Sequence, residues 1–308
     1  MSDTGTQPQF ATELLRAVLF VPGNDERKLE KAGAAGADLV VIDLEDAVAE
    51  AEKTSARAIA RQAVAQVARE SPVAVRVNGI GSGRLQDDIM AVAVAGVRAV
   101  VIPKVETADA LGAAEAALIR AEREHERGLG TVALIALVET PLGIARCEGI
   151  LLGAPSRTVT AMFGVADFSA SLGVDLTVEG TELLYARSRL IVAARAAGMP
   201  GPIDGPFLQL DDNGGLLDDS RRSRALGFQG RVALHPRQVQ PIQRAYSELS
   251  EEQIQAARRI VDAFESAESG GVASIRVNGK FVDYPVYELA RARLRRHEAY
   301  QSAATSER

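Results

Sequence analysis

Several short apolar runs in this 308-residue chain end in side chains able to handle charge. "VVIDLEDAV" (Val40–Val48) closes with Asp43, Glu45 and Asp46. "VAVRV" (Val73–Val77) carries Arg76 and is followed by Asn78. "AVVIP" (Ala99–Pro103) leads to Lys104 and Glu106, "VALIALVE" (Val132–Glu139) ends at Glu139, and "FGVADFS" contains Asp167. Glu139 and Asp167 follow successive runs, which as neighbouring strands would lie about 4.8 Å apart. Two carboxylates converging there repel unless a cation lies between them. Mg²⁺ suits such a pair, because it takes one or two carboxylates and fills its shell with water and substrate oxygens. The other reading makes both acids helix caps. No Cys/His cluster suggests zinc.

Arg76 sits inside an apolar strand, where an unpaired guanidinium is costly. It either pairs with a structural acid or awaits an anion, and its planar fork matches a carboxylate at two points. Lys104 is open to a Schiff base or to an ion pair with a rim acid. Of the histidines, His125 is expected in solvent on a charged helix, His297 on the surface of a basic one, and His235 in an ordering role before Pro236. Cys147 reads as a small core filler. "DDNGGLLDDS" (Asp211–Ser220) misses calcium-loop spacing and is expected to be a solvated loop.

Positioning these residues requires a repeated unit. Eight short runs recur: the first four above, with "AVLFV" (Ala17–Val21), "TVTAMFG" (Thr158–Gly164, which leads into "FGVADFS"), a weak "GPIDG" (Gly201–Gly205) and "GRVALHP" (Gly230–Pro236). They are apolar throughout, as parallel strands covered on both faces must be. Ala-rich helical stretches separate them. The expected fold is therefore α/β, a (β/α)₈ TIM barrel with catalytic groups at the carboxyl ends of its strands. An open doubly wound sheet uses the same alphabet, but no G-x-G-x-x-G follows the first run. The barrel is expected over residues 11–248. From 249 to 308 follows a helical and hairpin extension, with Ser250 capping a helix and Asn278-Gly279 turning a hairpin.

Bulk properties narrow the function. Apolar residues make up 47% and aromatics 4%, so the core must be aliphatic. A net charge of −6 argues against nucleic acid. The lone Cys147 permits no internal disulfide, no signal peptide is recognisable, and no run reaches the roughly 18 apolar residues of a membrane span. A cytoplasmic protein is expected, with about ten loose residues at the front.

In order, "LFVPGN", "VIDLEDAV", "VRVN", "IPKVE", "ALVETPLGI", "FGVADFSASLG", "YARSRLIVAARAAG", "ALHPRQV" and "GKFVDYPV" resemble the citrate lyase β-subunit family, the HpcH/HpaI aldolase/citrate lyase-like proteins. The resemblance covers Arg16 to Arg295. It implies a Mg²⁺-dependent carbon–carbon lyase, trimeric or hexameric, acting on coenzyme A thioesters of 3-hydroxy acids. It also implies roles. Glu139 and Asp167 match metal ligands, with Glu139 also facing substrate; Glu45 and Asp46 match acids around the metal's waters. Arg76 matches the residue holding the 2-oxo acid, assisted by Arg16. Arg27 and Lys31 match positions that meet the coenzyme A phosphates. Asp283 matches an acid/base delivered to a neighbouring subunit. Alternatives are a citrate lyase β subunit working on a carrier-bound thioester, or a coenzyme A-binding barrel without turnover.

Overall fold

The computed structural model of the protein describes residue 10, residues 14–247 and residues 249–306. The expected loose front segment and the expected boundary at residue 248 lie largely or wholly outside those residues. Through Tyr246 the chain forms one compact unit, and from Ser247 a second.

The first unit alternates strand and helix. In chain order it runs β1 (Ala17–Pro22), α1 (Glu26–Ala32), β2 (Leu39–Asp43), α2 (Lys53–Val67), β3 (Val73–Arg76), α3 (Leu85–Val92) and β4 (Val97–Ile102). Then come α4 (Ala108–Glu124), β5 (Ala133–Val138), α5 (Pro141–Leu152), β6 (Thr158–Phe163), α6 (Val165–Leu172) and α7 (Leu184–Ala196). The unit ends with β7 (Ile203–Asp204), α8 (Asn213–Leu226), β8 (Gly230–Ala233) and α9 (Pro236–Ser247). All eight strands pair in parallel, and β8 returns to β1, so the sheet closes into a barrel in sequence order. This is the (β/α)₈ TIM barrel that the sequence pattern predicts.

The uniformly apolar strands are explained by two cores. Val18, Leu39, Val41, Ala74, Ala99, Val101, Ala133, Ile135, Leu137 and Met162 fill the barrel interior. The alternate residues, such as Leu19, Val40, Val75 and Val100, pack outward against the helices. Period two along each strand therefore fixes which later residues face the interior.

Two sequence expectations need correcting. Asp211–Ser220 is largely helical: Asp212 caps α8 by accepting from the Gly215 N–H at 2.8 Å. Its paired glycines and acids hide the periodicity. Within α8 the buried Asp219 pairs with Arg187 and Arg231, which also grip Asp204 of β7. That network ties a two-residue strand to its surroundings. His125 is not simply solvated; its ring nitrogen lies 2.6 Å from the Met90 carbonyl oxygen and joins the end of α4 to α3.

The second unit comprises α10 (Glu251–Ser269), β9 (Ile275–Val277), β10 (Lys280–Val282) and α11 (Tyr284–Ser306). Ser250 and Gln253 form a reciprocal capping box at the start of α10. Strands β9 and β10 pair antiparallel about Asn278-Gly279, both at positive φ (48° and 80°), as a tight hairpin turn requires. Phe264, Val282 and Tyr287 make this unit's small core.

Candidate active site

The interior parity of each strand leads directly to the charged residues. On β2, Leu39 and Val41 point inward, so Asp43 does too. On β3, Ala74 points inward, and so does Arg76. Asp43 and Arg76 are register partners across the two strands. Their side chains meet as a fork: Arg76 Nε donates to Asp43 Oδ1 at 2.7 Å and Nη2 to Oδ2 at 2.6 Å. Phe20, inward on β1, lies under the guanidinium at 5.3 Å. The sequence signal that Asp43 belongs here is its even spacing from the interior residues Leu39 and Val41.

Arg76 retains Nη1 for the rim, 3.1 Å from Glu45 Oε2 and 3.6 Å from Asp46 Oδ2. The loop carrying these acids is pinned from below. Asp43 accepts from the Glu45 and Ala47 N–H groups. Buried Lys53 donates to the Leu44 and Glu45 carbonyls, and Asn78 Nδ2 to that of Leu44. Lys53 reads as an ordinary helix residue in sequence, since nothing local reveals a contact made backwards to the preceding loop.

Glu139 continues the inward series Ala133, Ile135, Leu137 and is 1% exposed. It does not cap the next helix: Thr140 does, accepting from the Gly143 N–H, while its hydroxyl donates to Glu106. Its own carboxylate accepts the Lys104 N–H at 2.8 Å. Gly164 leaves it room, since a Cβ there would lie 2.3 Å from Glu139 Cβ and Oε2. Asp167 lies in the first turn of α6, not at a strand end, and is no cap either; that place belongs to Gly164. The capping alternative for both acids therefore falls. Lys104 reaches Asp167 Oδ1 at 3.3 Å, Asp46 at 3.7 Å and Glu45 at 3.8 Å, so it is an ion-pair lysine.

The electrostatics are unbalanced. Five carboxylates (Asp43, Glu45, Asp46, Glu139, Asp167) face two cations, Arg76 and Lys104. Burial, then the charges of Glu45 and Asp167, push Glu139 up to about 8 despite Arg76 and the Lys104 N–H. Burial likewise lifts Glu45 to about 7, with Arg76 opposing and Asp46 adding. Burial alone would lower Arg76 and Lys104, but the acids around them raise both, so each stays charged. Glu45 Oε2 is buried and accepts no hydrogen bond, although Arg76 lies near. Among the described residues no three His, Cys, Asp or Glu side chains form a ready metal cage. Two carboxylates with open positions suit a hard divalent ion that keeps water and takes substrate oxygens, and such an ion would supply the missing positive charge.

The remaining expected site residues separate. Arg27 lines a surface hollow with Pro22, Asn24, Lys28 and Ala47, where the loops after β1 and β2 meet. Lys31 is exposed on α1 but does not line that hollow. Arg16 is a correction. It precedes β1, at the amino end of the barrel, and is held by Asp38 through both its N–H and its guanidinium. Every other barrel residue of the site follows a strand's carboxyl end or closes one, so Arg16 cannot assist there. Asp283 opens α11 in the second unit and accepts from the Val286 N–H at 3.4 Å.

A family model described as HpcH/HpaI aldolase/citrate lyase matches residues 16–236. The citrate lyase subunit beta of Leuconostoc mesenteroides subsp. cremoris is 35% identical over 274 residues, covering 89% of this chain and 90% of that protein. Human mitochondrial citramalyl-CoA lyase is 32% identical, with 89% of this chain and 83% of the relative covered. Among solved structures, CitE of Mycobacterium tuberculosis in complex with magnesium, acetoacetate and coenzyme A superposes with a TM-score of 0.72. It is 31% identical and covers 92% of this chain and 98% of its own. No helix among the described residues is long and apolar enough to cross a membrane.

Proposed function

This chain belongs to the HpcH/HpaI aldolase/citrate lyase family, and we propose that it is a magnesium-dependent carbon–carbon lyase. Its substrate is a 3-hydroxyacyl-coenzyme A thioester of the malyl, citramalyl or citryl type, which it splits into acetyl-coenzyme A and a 2-oxo acid. The observation that carries this reading is the convergence of Glu139, Asp167, Glu45 and Asp46 with only Arg76 and Lys104 to balance them.

Glu139 and Asp167 hold the ion, and Glu45 and Asp46 orient water around it. Magnesium bound there supplies a Lewis acid for the oxygens of the oxo acid. Arg76, already fixed by Asp43, offers Nη1 to the substrate carboxylate. Cleavage begins with loss of the 3-hydroxyl proton, for which Glu45 and Asp46 are the chain's acceptors. The C2–C3 electron pair then passes to the thioester as an enolate, leaving the former C3 as the oxo-acid carbonyl. Protonation of the enolate carbon gives acetyl-coenzyme A. Asp283 is assigned as the acid that delivers this proton, in a neighbouring subunit of a homotrimer or hexamer. On this reading residues 11–248 are the catalytic barrel and 249–308 the extension that serves a neighbour. Arg27 takes the coenzyme A phosphates, with Lys31 further along α1.

A second reading is favoured by the 35% identity to a citrate lyase subunit beta: the same chemistry on a carrier-bound citryl thioester. Incubating malyl-, citramalyl- and citryl-coenzyme A with Mg²⁺ separates the two. Release of acetyl-coenzyme A with glyoxylate, pyruvate or oxaloacetate is expected from at least one. Turnover only with a carrier-bound thioester would favour the second reading, and none with either would refute both.

A further inference from the structure

Lys104 takes no part in the reaction above, yet it is built into the site at two points. Its backbone N–H donates to Glu139 Oε1 at 2.8 Å, and its Nζ lies 3.3 Å from Asp167 Oδ1. One residue thus grips both carboxylates assigned to the ion. It does so from a left-handed backbone, φ 50°, a conformation that a non-glycine residue adopts only at a cost. The inward positions of β4 are Ala99 and Val101; Lys104 falls off that parity, so the turn rather than the strand aims it at the acids. Its side chain is 44% exposed, so core packing does not hold it there.

We propose that Lys104 is a built-in counter-cation: its ammonium neutralises the pocket beside Asp167 until a divalent ion binds, and must leave Asp167 when it does. This rests on the reading of Glu139 and Asp167 as the ion's ligands. The two grips then behave differently. The N–H clamp on Glu139 persists through loading, while the ammonium yields and retains Glu45 and Asp46 as partners. Lys104 is a positioning residue that sets a threshold, because an incoming ion must outcompete a tethered positive charge. It also keeps the acids from repelling one another in the unloaded protein.

The test is titration of EDTA-stripped full-length protein with Mn²⁺, read by electron paramagnetic resonance, for wild type, Lys104→Asn and Lys104→Arg. Asparagine tolerates positive φ and removes the charge. It is expected to tighten Mn²⁺ binding roughly tenfold, the scale of one unit charge a few ångströms from a divalent ion in water; arginine should stay near wild type. The metal-free Lys104→Asn protein should melt lower than wild type and be raised more by Mn²⁺, whereas a merely structural loss would lower both states equally. In the wild type, reductive methylation of Lys104 should accelerate on adding Mg²⁺, a readout that needs no variant. Equal or weaker Mn²⁺ binding by Lys104→Asn, or an unchanged methylation rate, overturns the proposal and leaves the metal reading standing. Failure of the wild type to bind Mn²⁺ overturns both.

Discussion

Arg76 is prepared before any substrate arrives. Two of its nitrogens are committed to Asp43 and one remains for the rim. A lysine there is a point charge without the fork, so it cannot serve Asp43 and a ligand together. Arg76→Lys is expected to lower kcat/KM for the active thioester at least a hundredfold. It should also cost stability of about 1–3 kcal/mol, because Asp43 is buried and loses part of its partner. Steady-state kinetics and urea denaturation check this, and unchanged kinetics would remove Arg76 from the site. At this scale the sequence was informative about residue types and less so about their partners. Either a structural acid or an anion was open for Arg76. Asp43 proved to be the acid, and only the register of β2 against β3 decides that.

The elements place the acids through two different rules. Strand parity delivers Arg76, Asp43 and Glu139, and it can be counted from the sequence. Asp167 comes from the first turn of α6 and Lys104 from a left-handed turn after β4, which no strand count predicts. Gly164 joins the two rules, since it ends the β6 run, begins α6 and leaves space for Glu139. Gly164→Ala is expected to push Glu139 aside. It should destabilise the protein by about 1–3 kcal/mol, as overpacking does, and abolish turnover. Melting curves and the lyase assay read both effects. A variant with wild-type rates would show that Glu139 has slack the structure does not suggest. Most strand boundaries were legible to within a residue or two because buried parallel strands are uniformly apolar, although "GRVALHP" outruns β8 by three residues. The helix α8 was not, because acids and paired glycines mask its periodicity.

For the whole molecule, the crowded rim makes stability depend on pH. Glu45 and Glu139 titrate near 7 and 8 when folded, against about 4.3 for an unperturbed glutamate. The native state therefore binds their protons more tightly than the unfolded chain, so the contribution is present at low pH and is lost as pH rises from about 4.3 towards 8. Metal-free Glu139→Gln, which keeps a neutral side chain throughout, should gain stability relative to wild type between pH 5 and 8. Denaturation midpoints across that range test it, and parallel curves would contradict it. Assembly is tested by complementation. If Asp283 acts in a neighbouring subunit, co-expressed Asp283→Asn and Glu139→Gln chains, each inactive alone, should recover part of the activity. No recovery from a mixed oligomer would confine Asp283 to its own barrel or exclude it. The fold was legible from periodicity alone. The proposed sharing of a site between subunits rests on the resemblance instead, since a single chain's pattern carries no record of its neighbour.

Central to the proposed function is a divalent ion clasped between Glu139 and Asp167. Crystals soaked in Mn²⁺ with oxaloacetate and measured at the manganese edge test it most directly. An anomalous peak is expected at about 2.1–2.2 Å from one oxygen of each carboxylate, a spacing close to that of magnesium. Manganese bound elsewhere, or those two acids still engaged by Lys104 with no peak between them, would contradict it.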